Sequence, residues 1–481
     1  MLSTRSPAAS APAVRSELPR LIQGGMGIGV SGWRLANAVA RSGHLGVVSG
    51  TSLDTLLIRQ LQDGDRAGHL RRAIAAFPDG ATGEAVLRRW WQPGGRAAGQ
   101  PYSLLPLPTA TPDPARERLQ VLAAFVEVWL AREGHASDIG INLLTKVRLP
   151  ILPTLHGAML AGVRWVLMGA GIPKHVPAAL DELAGRRRAT LPLDVTGATT
   201  ARFVSFDPAD HWPESGPPLL RPRFLAIVAS HALATMLARK SSGRVDGFVV
   251  EAPTAGGHNA PPRREGGTNA RGEPRYGCDD EVDLEALRRL GLPFWLAGGA
   301  GRPGALAAAQ AVGAAGIQVG SLFAFCRESG LAEGPRRAVL DAIRAGRLDV
   351  FTDPRASPTG YPFKVLRGAG VPEAGTDRVR CCDLGYLRET YQREDGGLGY
   401  RCPGEPEAAW VQKGGRREEC AGRRCLCNGL LANVGVGQLR DGDLELPLLT
   451  AGDDVARVRE LLQDRDDYSA TDVVDYLLAT A

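Results

Sequence analysis

A chain of 481 residues that is 44% hydrophobic and 23% charged is long enough to bury a large core. Its net charge of +5 is spread too thinly over that length to indicate a nucleic-acid-binding protein. Residues 1–17 are rich in Ala, Ser and Pro and lack the apolar segment of a secretory signal. We therefore predict a disordered tail there and a cytoplasmic protein. The sequence leaves open whether the chain forms a homodimer.

Eight short apolar segments, most of them followed by a helical pattern, predict eight parallel strands. The segments are apolar throughout rather than alternating, as expected of strands that are buried on both faces. In chain order they are residues 20–23, 45–50, 138–144, 163–169, 223–229, 246–252, 293–299 and 316–320. Eight such β-α units predict an α/β fold, a (β/α)8 TIM barrel, over residues 18–346. An uncharged run at residues 303–326 contains Gly-rich breaks, which argues against a membrane span.

Two insertions and an extension depart from the repeat. Residues 73–137 combine a Pro-rich connector with a long helical pattern, and residues 186–215 have the pattern of a β-hairpin. From residue 347 the β-α repeat stops, and residues 347–481 form a C-terminal extension that contains most of the cysteines. The Pro- and Gly-rich segment 352–365 is predicted to be a lid over the mouth of the barrel.

The first predicted strand leads into Gly27-Ile-Gly29-Val-Ser-Gly32, which formally matches the loop of a Rossmann dinucleotide-binding unit. That unit needs an acidic residue at the end of its second strand, and Asp54 lies past that point. Eight buried strands also favour a closed barrel over an open sheet. We interpret these glycines as a loop that lets the backbone approach a flat ring, with Met26 packed against it.

Glycine-rich turns follow the seventh and eighth predicted strands, where TIM barrels commonly bind phosphate. Backbone N–H groups at the start of a helix can bind a phosphate without a lysine. The candidate donors are Gly298, Gly299, Gly301, Gly320 and Ser321. A flat ring over the first strand and a phosphate over the last two predict FMN as the cofactor.

A histidine follows the sixth predicted strand in the sequence TAGGHN. Gly256 and Gly257 give the backbone the freedom to bring His258 over the mouth of the barrel, and both are predicted to contact the cofactor. A neutral imidazole there can accept a proton or stabilise a developing anion. His258 is therefore the predicted catalytic residue.

These motifs, together with GINLLT at residues 140–145, resemble the nitronate monooxygenase family, formerly called 2-nitropropane dioxygenases. The FMN-dependent enoyl reductases of fatty acid and polyketide synthesis are related to that family. The resemblance covers about residues 18–346 and implies a TIM barrel with one non-covalent FMN. It implies that the flavin is lined by Gln23, Gly24, Gly25, Met26 and Gly169, and that Asn142 hydrogen-bonds its ring.

The resemblance implies an FMN-dependent oxidoreductase that oxidises a small carbanionic substrate with O2. An enoyl-thioester reductase that uses NAD(P)H is the alternative, and a non-catalytic barrel that binds a phosphate ligand is a third hypothesis. The insertions and the long extension depart from a compact family member and leave the substrate open.

The cysteines of the extension allow three interpretations. Cys382, Cys402, Cys425 and Cys427 are candidate ligands for zinc or an iron–sulfur cluster. Their C-x-C and C-C spacings are not the usual paired C-x2-C, and the sequence favours plain reduced cysteines over a metal site or a redox-active thiol pair. The absence of an export signal argues against disulfides.

Overall fold

Eight parallel strands form the centre of the molecule. The computed structural model describes residues 17–213, 216–264, 266–368 and 378–479, so the predicted tail lies outside the described residues except for Glu17. The strands are β1 (Leu21–Gln23), β2 (Gly46–Ser49), β3 (Ile139–Leu144), β4 (Trp165–Gly169), β5 (Arg223–Val228), β6 (Gly247–Glu251), β7 (Phe294–Ala297) and β8 (Gly316–Val319). Each coincides with one of the eight predicted segments, so the predicted TIM barrel is confirmed.

The strands close into a barrel in sequence order. Every strand from β2 to β7 pairs in parallel with the next, and β8 pairs with β1 through Leu21–Ile317 and Gln23–Val319. The last seam, between β1 and β2, is held by a bridge at Ile22–Leu45 and by the Gln23 N–H, which donates to the Leu45 carbonyl at 2.9 Å. Burial on both faces explains why the strand segments are apolar throughout.

The N-terminal end of the barrel is filled by side chains. The rings of Trp165 and Trp295 are both buried and meet edge to face at 6.1 Å. The Trp295 indole donates to the Pro19 carbonyl at 2.6 Å, which fixes the chain that enters β1. Because this end is packed, the space for a ligand lies at the opposite end, where the strands finish.

Helices surround the barrel. Those before the extension are Gly27–Val30, Trp33–Arg41, Leu53–Gln62, His69–Ala75, Gly80–Trp90, Pro114–Ala131, Ile151–Leu160, Val176–Ala184, His231–Lys240, Leu284–Arg288, Ala305–Ala311, Ser321–Ala324 and Glu333–Arg344. The first insertion contributes Pro114–Ala131, whose start is capped by the Asp113 side chain. In the second insertion Ala189–Leu193 pairs with Arg202–Phe206 as an antiparallel hairpin, as predicted. None of the described helices is both long and apolar enough to cross a membrane.

The extension folds across the mouth of the barrel. Its strands are Asp349–Asp353, Phe363–Arg367, Glu389–Gln392, Leu398–Arg401, Leu439–Arg440 and Asp443–Leu444, and its α-helices are Glu407–Gln412, Leu426–Asn433, Val458–Leu462 and Ala470–Leu478. Apolar residues of the extension, such as Leu431, Leu449 and Val455, belong to the same buried core as the barrel helices. The barrel and the extension therefore share one hydrophobic core.

The segment predicted as a lid lies directly against the loop after β6. The Asn259 N–H donates to the Pro362 carbonyl at 2.9 Å, and the Lys364 N–H donates to the Gly257 carbonyl at 2.9 Å. The Lys364 ammonium is buried and pairs with Asp453 at 2.9 Å. These contacts attach the segment to the AGGH loop, while its role as a moving lid stays a prediction.

Candidate active site

A cavity of about 220 Å³ lies at the C-terminal ends of the barrel strands, beneath the extension. Its wall combines residues from the strand ends with residues of the extension. The predicted site residues that line it are Gly24, Gly25, Met26, Asn142, Gly169, Gly256, Gly257, His258, Gly298, Gly320 and Ser321. The structure thus brings together residues that are distant from one another in the sequence and come from six of the eight strand ends.

Three predicted residues do not line this cavity. The side chain of Gln23 is fully buried, where it accepts from the Val47 N–H at 3.1 Å and donates to the Gly24 carbonyl. Gln23 therefore ties β1 to β2 and positions the glycine loop from behind. Gly299 and Gly301 lie in the turn after β7, where Gly301 contacts the extension rather than the cavity.

One end of the cavity is formed by the glycine loop after β1 and by the end of β3. The two are so close that a Cβ atom on Gly25 would lie 2.2 Å from the Cβ of Asn142. The Asn142 Oδ1 atom is buried and has no hydrogen-bond partner among the described residues, and the same is true of Oε1 of Gln318 on β8. Two unpaired buried acceptors in a cavity wall indicate a ligand with donors at this end.

The other end is formed by the turns after β7 and β8. Gly298 and Gly299 have φ angles of +78° and +75°, a conformation that glycine adopts without strain. Ser321 begins the short helix after β8, and its hydroxyl accepts from the Gly452 N–H at 2.7 Å. A Cβ on Gly320 would lie 3.4 Å from the Met26 sulfur, so this end adjoins the β1 loop.

A carboxylate from the extension occupies the donors of the β7 turn. Asp454 accepts from the Gly301 N–H at 2.8 Å, and the Gly299 N–H lies close to the same carboxylate. Burial raises the pKa of this carboxyl above its usual range. The turn therefore binds an anion, and in this structure the anion is supplied by the chain itself. Sequence reasoning missed Asp454, because no local pattern connects it to a glycine 153 positions away.

His258 projects into the cavity from the loop after β6. Its Nε2 atom is 2.7 Å from the hydroxyl of Ser357, and its ring meets the Phe363 ring edge-on at 4.9 Å. Burial, and next the positive charge of Lys146, lower the pKa of His258 to about 4. The imidazole is therefore neutral at physiological pH and is oriented by two residues of the extension.

Glu251, at the end of β6, is a second titratable group in the cavity wall. Burial raises the pKa of its carboxyl to about 7. A carboxyl whose pKa is moved close to neutrality in a cavity is a candidate for proton transfer. In the sequence Glu251 is recognisable only as the last residue of a strand. Its raised pKa could not be predicted, because the burial that causes it exists only in the folded protein.

A family model described as nitronate monooxygenase matches residues 182–461, which is more than half of the chain. The chain belongs to the nitronate monooxygenase family. It is accordingly an oxidoreductase, and the resemblance noted in the sequence is confirmed. The matched part of this family member contains His258, both glycine turns and Asp454, and it extends well into the C-terminal extension.

Solved structures with a similar course of the chain include FabK from Thermotoga maritima, with 16% identity and a TM-score of 0.46 over 95% of this chain and 91% of that one. A nitroalkane oxidase from Streptomyces ansochromogenes has 16% identity and a TM-score of 0.43, over 95% and 94% of the two chains. The enoyl reductase domain of MlnA from Bacillus amyloliquefaciens has 11% identity and a TM-score of 0.45, over 95% and 92%. These likenesses are too distant to indicate an activity. No curated protein matches the chain.

Proposed function

We propose that this member of the nitronate monooxygenase family is an FMN-dependent enzyme that oxidises a small carbanionic substrate, such as a nitronate, with O2. The observation that carries the proposal is the shared cavity: His258, the β1 glycine loop and the turns after β7 and β8 all contribute to one wall. A substrate between the histidine and a bound flavin would be enclosed by the barrel on one side and by the extension on the other.

The residues present fit an isoalloxazine ring at the β1–β3 end. Gly25 packs so closely on Asn142 that a Cβ there would lie 2.2 Å from the Asn142 Cβ, and both residues line the cavity at this end. Asn142 Oδ1 and Gln318 Oε1 are buried acceptors with no partner in the described part of the chain, and a ring N–H is the kind of donor that they lack. Gly24, Gly25 and Met26 would hold the ring from the β1 side.

The opposite end fits a phosphate, because its backbone donors already hold a carboxylate. Gly298, Gly320 and Ser321 line the cavity there, and Gly299 and Gly301 direct their N–H groups at Asp454. Amide donors that bind one anion are suited to another. We infer that Asp454 must shift, or share these donors, when the phosphate group of FMN binds.

FMN, when bound, would supply an electron acceptor for the substrate and a route for the electrons to O2. The protein would supply a positive charge for an anionic substrate, from Lys146, and a proton acceptor, from His258. His258 is neutral, so its imidazole can take a proton from a carbon acid or hydrogen-bond the anion, and Ser357 holds it in place. The ammonium of Lys146 lies 4.8 Å from the centre of the Tyr361 ring and adds positive charge on the His258 side, which favours an anionic substrate.

Anaerobic mixing of the purified flavoprotein with propane-2-nitronate tests this function. We expect the visible flavin absorbance to bleach and to return when O2 is admitted. The matched measurement uses NADPH or NADH instead of the nitronate. Rapid bleaching by the nicotinamide and none by the nitronate would reject the proposal in favour of an enoyl-thioester reductase. A protein that holds no flavin would support a non-catalytic phosphate-binding barrel.

Replacing Asp454 with Asn is expected to tighten FMN binding by about tenfold. Two like charges side by side at a binding site cost several kcal/mol, and the Asp454 carboxylate can avoid part of that cost by moving away from the phosphate. Asn keeps the size and an acceptor oxygen for the Gly301 N–H. The measurement is a titration of the apoprotein with FMN, followed by quenching of flavin fluorescence. Asp464→Asn, at an exposed position of the extension, is the control. Weaker binding by Asp454→Asn would mean that this carboxylate supports the turn rather than competing for it.

A further inference from the structure

Four cysteines of the extension line a second, small cavity, which we call the thiol cavity. They come from three separate segments of the chain and are the residues that the sequence marks as candidate metal ligands: Cys382, Cys402, Cys425 and Cys427. All four are free thiols, and each is buried or half-buried. Among the described residues, no three His, Cys, Asp or Glu side chains are arranged to hold one metal ion. The four thiols are therefore parts of a cavity wall rather than of a metal-ligand set.

The wall of the thiol cavity exposes carbon and sulfur atoms but no nitrogen or oxygen. Its other lining residues are Pro358, Leu384, Gly385, Leu387, Arg388, Gly404 and Leu426. The charged end of Arg388 has partners of its own, because it donates to the carbonyls of Gly385 and Pro108. A buried free cysteine behaves as a small hydrophobic side chain. The thiol cavity is therefore apolar, although it is lined by four cysteines and an arginine.

The four thiols are protonated at neutral pH. Burial is the largest cause that raises the pKa of each of them, and for Cys382 the pKa is raised to about 12. The thiolate, not the thiol, is the form of cysteine that oxidants attack readily. Neutral thiols in this wall can therefore border an oxidant without being consumed by it.

The thiol cavity has a volume of about 10 Å³, which is room for one molecule of about the size of water. A buried water molecule typically makes about three hydrogen bonds, and this wall exposes neither nitrogen nor oxygen to make them. Apolar cavities in proteins instead stay dry and take up small apolar molecules such as xenon. The size and the lining of the thiol cavity therefore suit a small, uncharged gas molecule.

The thiol cavity adjoins the candidate active site. Leu387, Leu426 and Cys427 line both cavities, so the two are separated only by these side chains. Leu426 packs in the same apolar cluster as Phe363, whose ring meets that of His258 edge-on at 4.9 Å. A gas molecule in the thiol cavity would therefore lie one layer of apolar side chains away from the flavin site.

We propose that the thiol cavity binds dioxygen beside the flavin site. The inference rests on the proposed function, in which O2 is the oxidant. Three observations carry it: the apolar wall, the room for one small molecule, and the residues that this cavity shares with the active site. Dioxygen is small, uncharged and apolar, so its binding there would raise its concentration next to the flavin.

Xenon is the probe for the binding site, in crystals of the full-length protein that are pressurised with the gas. We expect an anomalous peak between the four sulfur atoms of the wild type and none in Cys382→Leu, whose larger side chain fills the cavity. Cys381→Leu is the matched control and should keep the peak, because Cys381 is also half-buried but does not line the cavity. A wild-type structure with no xenon there, or with an ordered water molecule in its place, would overturn the proposal.

The test for dioxygen itself is the rate constant with which O2 reoxidises the flavin after reduction by one equivalent of dithionite, a reaction that needs no substrate. Cys382→Leu is expected to lower this constant by about fourfold, the effect of returning one methylene-sized apolar group to water, whereas Cys381→Leu should not change it. Xenon under pressure should slow the wild-type reaction as well, since it competes with O2 for the cavity. This last measurement needs no variant, so a variant that fails to fold does not protect the proposal.

The outcomes separate this inference from the proposed function. Loss of the xenon peak with an unchanged reoxidation rate would mean that the cavity does not serve O2, and would overturn the inference alone. Failure of propane-2-nitronate to bleach the flavin would reject the proposed function alone. A protein that holds no flavin, or whose reduced flavin does not react with O2, would reject both.

Discussion

His258→Asn is expected to lower the turnover number by about 10²–10⁴-fold, the range that a positioned acid or base contributes, while leaving flavin content unchanged. The imidazole is held neutral by burial, so at physiological pH it is ready to accept a proton. Asn keeps a polar group near the position of Nδ1, does not reach the Ser357 hydroxyl that Nε2 contacts, and cannot take up a proton. The measurement is steady-state oxidation of 2-nitropropane, the carbon acid whose proton His258 would take, normalised to bound flavin.

Two further variants, at Ser357 and at His175, separate a role in orienting His258 from an unspecific effect of substitution. Ser357→Ala removes the hydroxyl that orients His258 at 2.7 Å but keeps the imidazole, so we expect a smaller loss of turnover, about tenfold. His175→Ala, at an exposed position before the helix Val176–Ala184, should have no effect. If His258→Asn turns over like the wild type while binding flavin normally, the histidine does not take part in the reaction.

Gly25→Ala is expected to weaken FMN binding by about 10- to 100-fold, since forcing extra atoms into a packed site typically costs about 1–3 kcal/mol. The added Cβ would lie 2.2 Å from the Cβ of Asn142, which is fixed on β3 between two paired strands. Either the loop or the asparagine must move, and both belong to the end of the cavity that fits the ring. The measurement is again a fluorescence titration of the apoprotein with FMN.

Gly80→Ala is the matched control for this substitution. Gly80 is the first residue of a helix, and a Cβ there meets nothing within 4 Å. Its FMN affinity and thermal stability should equal those of the wild type. Normal flavin affinity in Gly25→Ala would show that the ring does not lie against the β1 loop and the end of β3.

The sequence predicted the barrel well because the relevant signals are local. A strand that is buried on both faces is apolar throughout, and each such run appears within a few residues. The glycine turns after β7 and β8 could be predicted to lie in one site, because a barrel brings the C-terminal ends of all its strands to one face. The same rule placed His258 at the mouth without any knowledge of the side-chain geometry.

The contacts of the extension could not be predicted in this way. Asp454 reaches Gly301, and Ser357 reaches His258, only because a chain without a repeating pattern crosses the barrel mouth. The raised pKa of Glu251 likewise comes from its burial in the cavity that the fold assembles. The four candidate cysteines Cys382, Cys402, Cys425 and Cys427 were visible as residue types, but their irregular spacing gave no sign that they line one small cavity.

The extension therefore completes the site as well as covering it. It provides the hydroxyl that orients His258, the anion that occupies the β7 turn and one side of the cavity wall. Its apolar residues belong to the core of the barrel helices, so removal of residues 347–481 would expose that core. The catalytic properties of this family member should accordingly be studied on the full chain.

The central claim is that the barrel cavity binds one FMN. The most direct measurement is the amount and mass of the chromophore released by denaturation from natively purified protein after saturation with FMN and desalting, relative to the protein concentration. The account predicts one FMN per chain in the wild type and little in Gly25→Ala. A protein that retains no FMN after saturation, or whose FMN content is unaffected by Gly25→Ala, would contradict it.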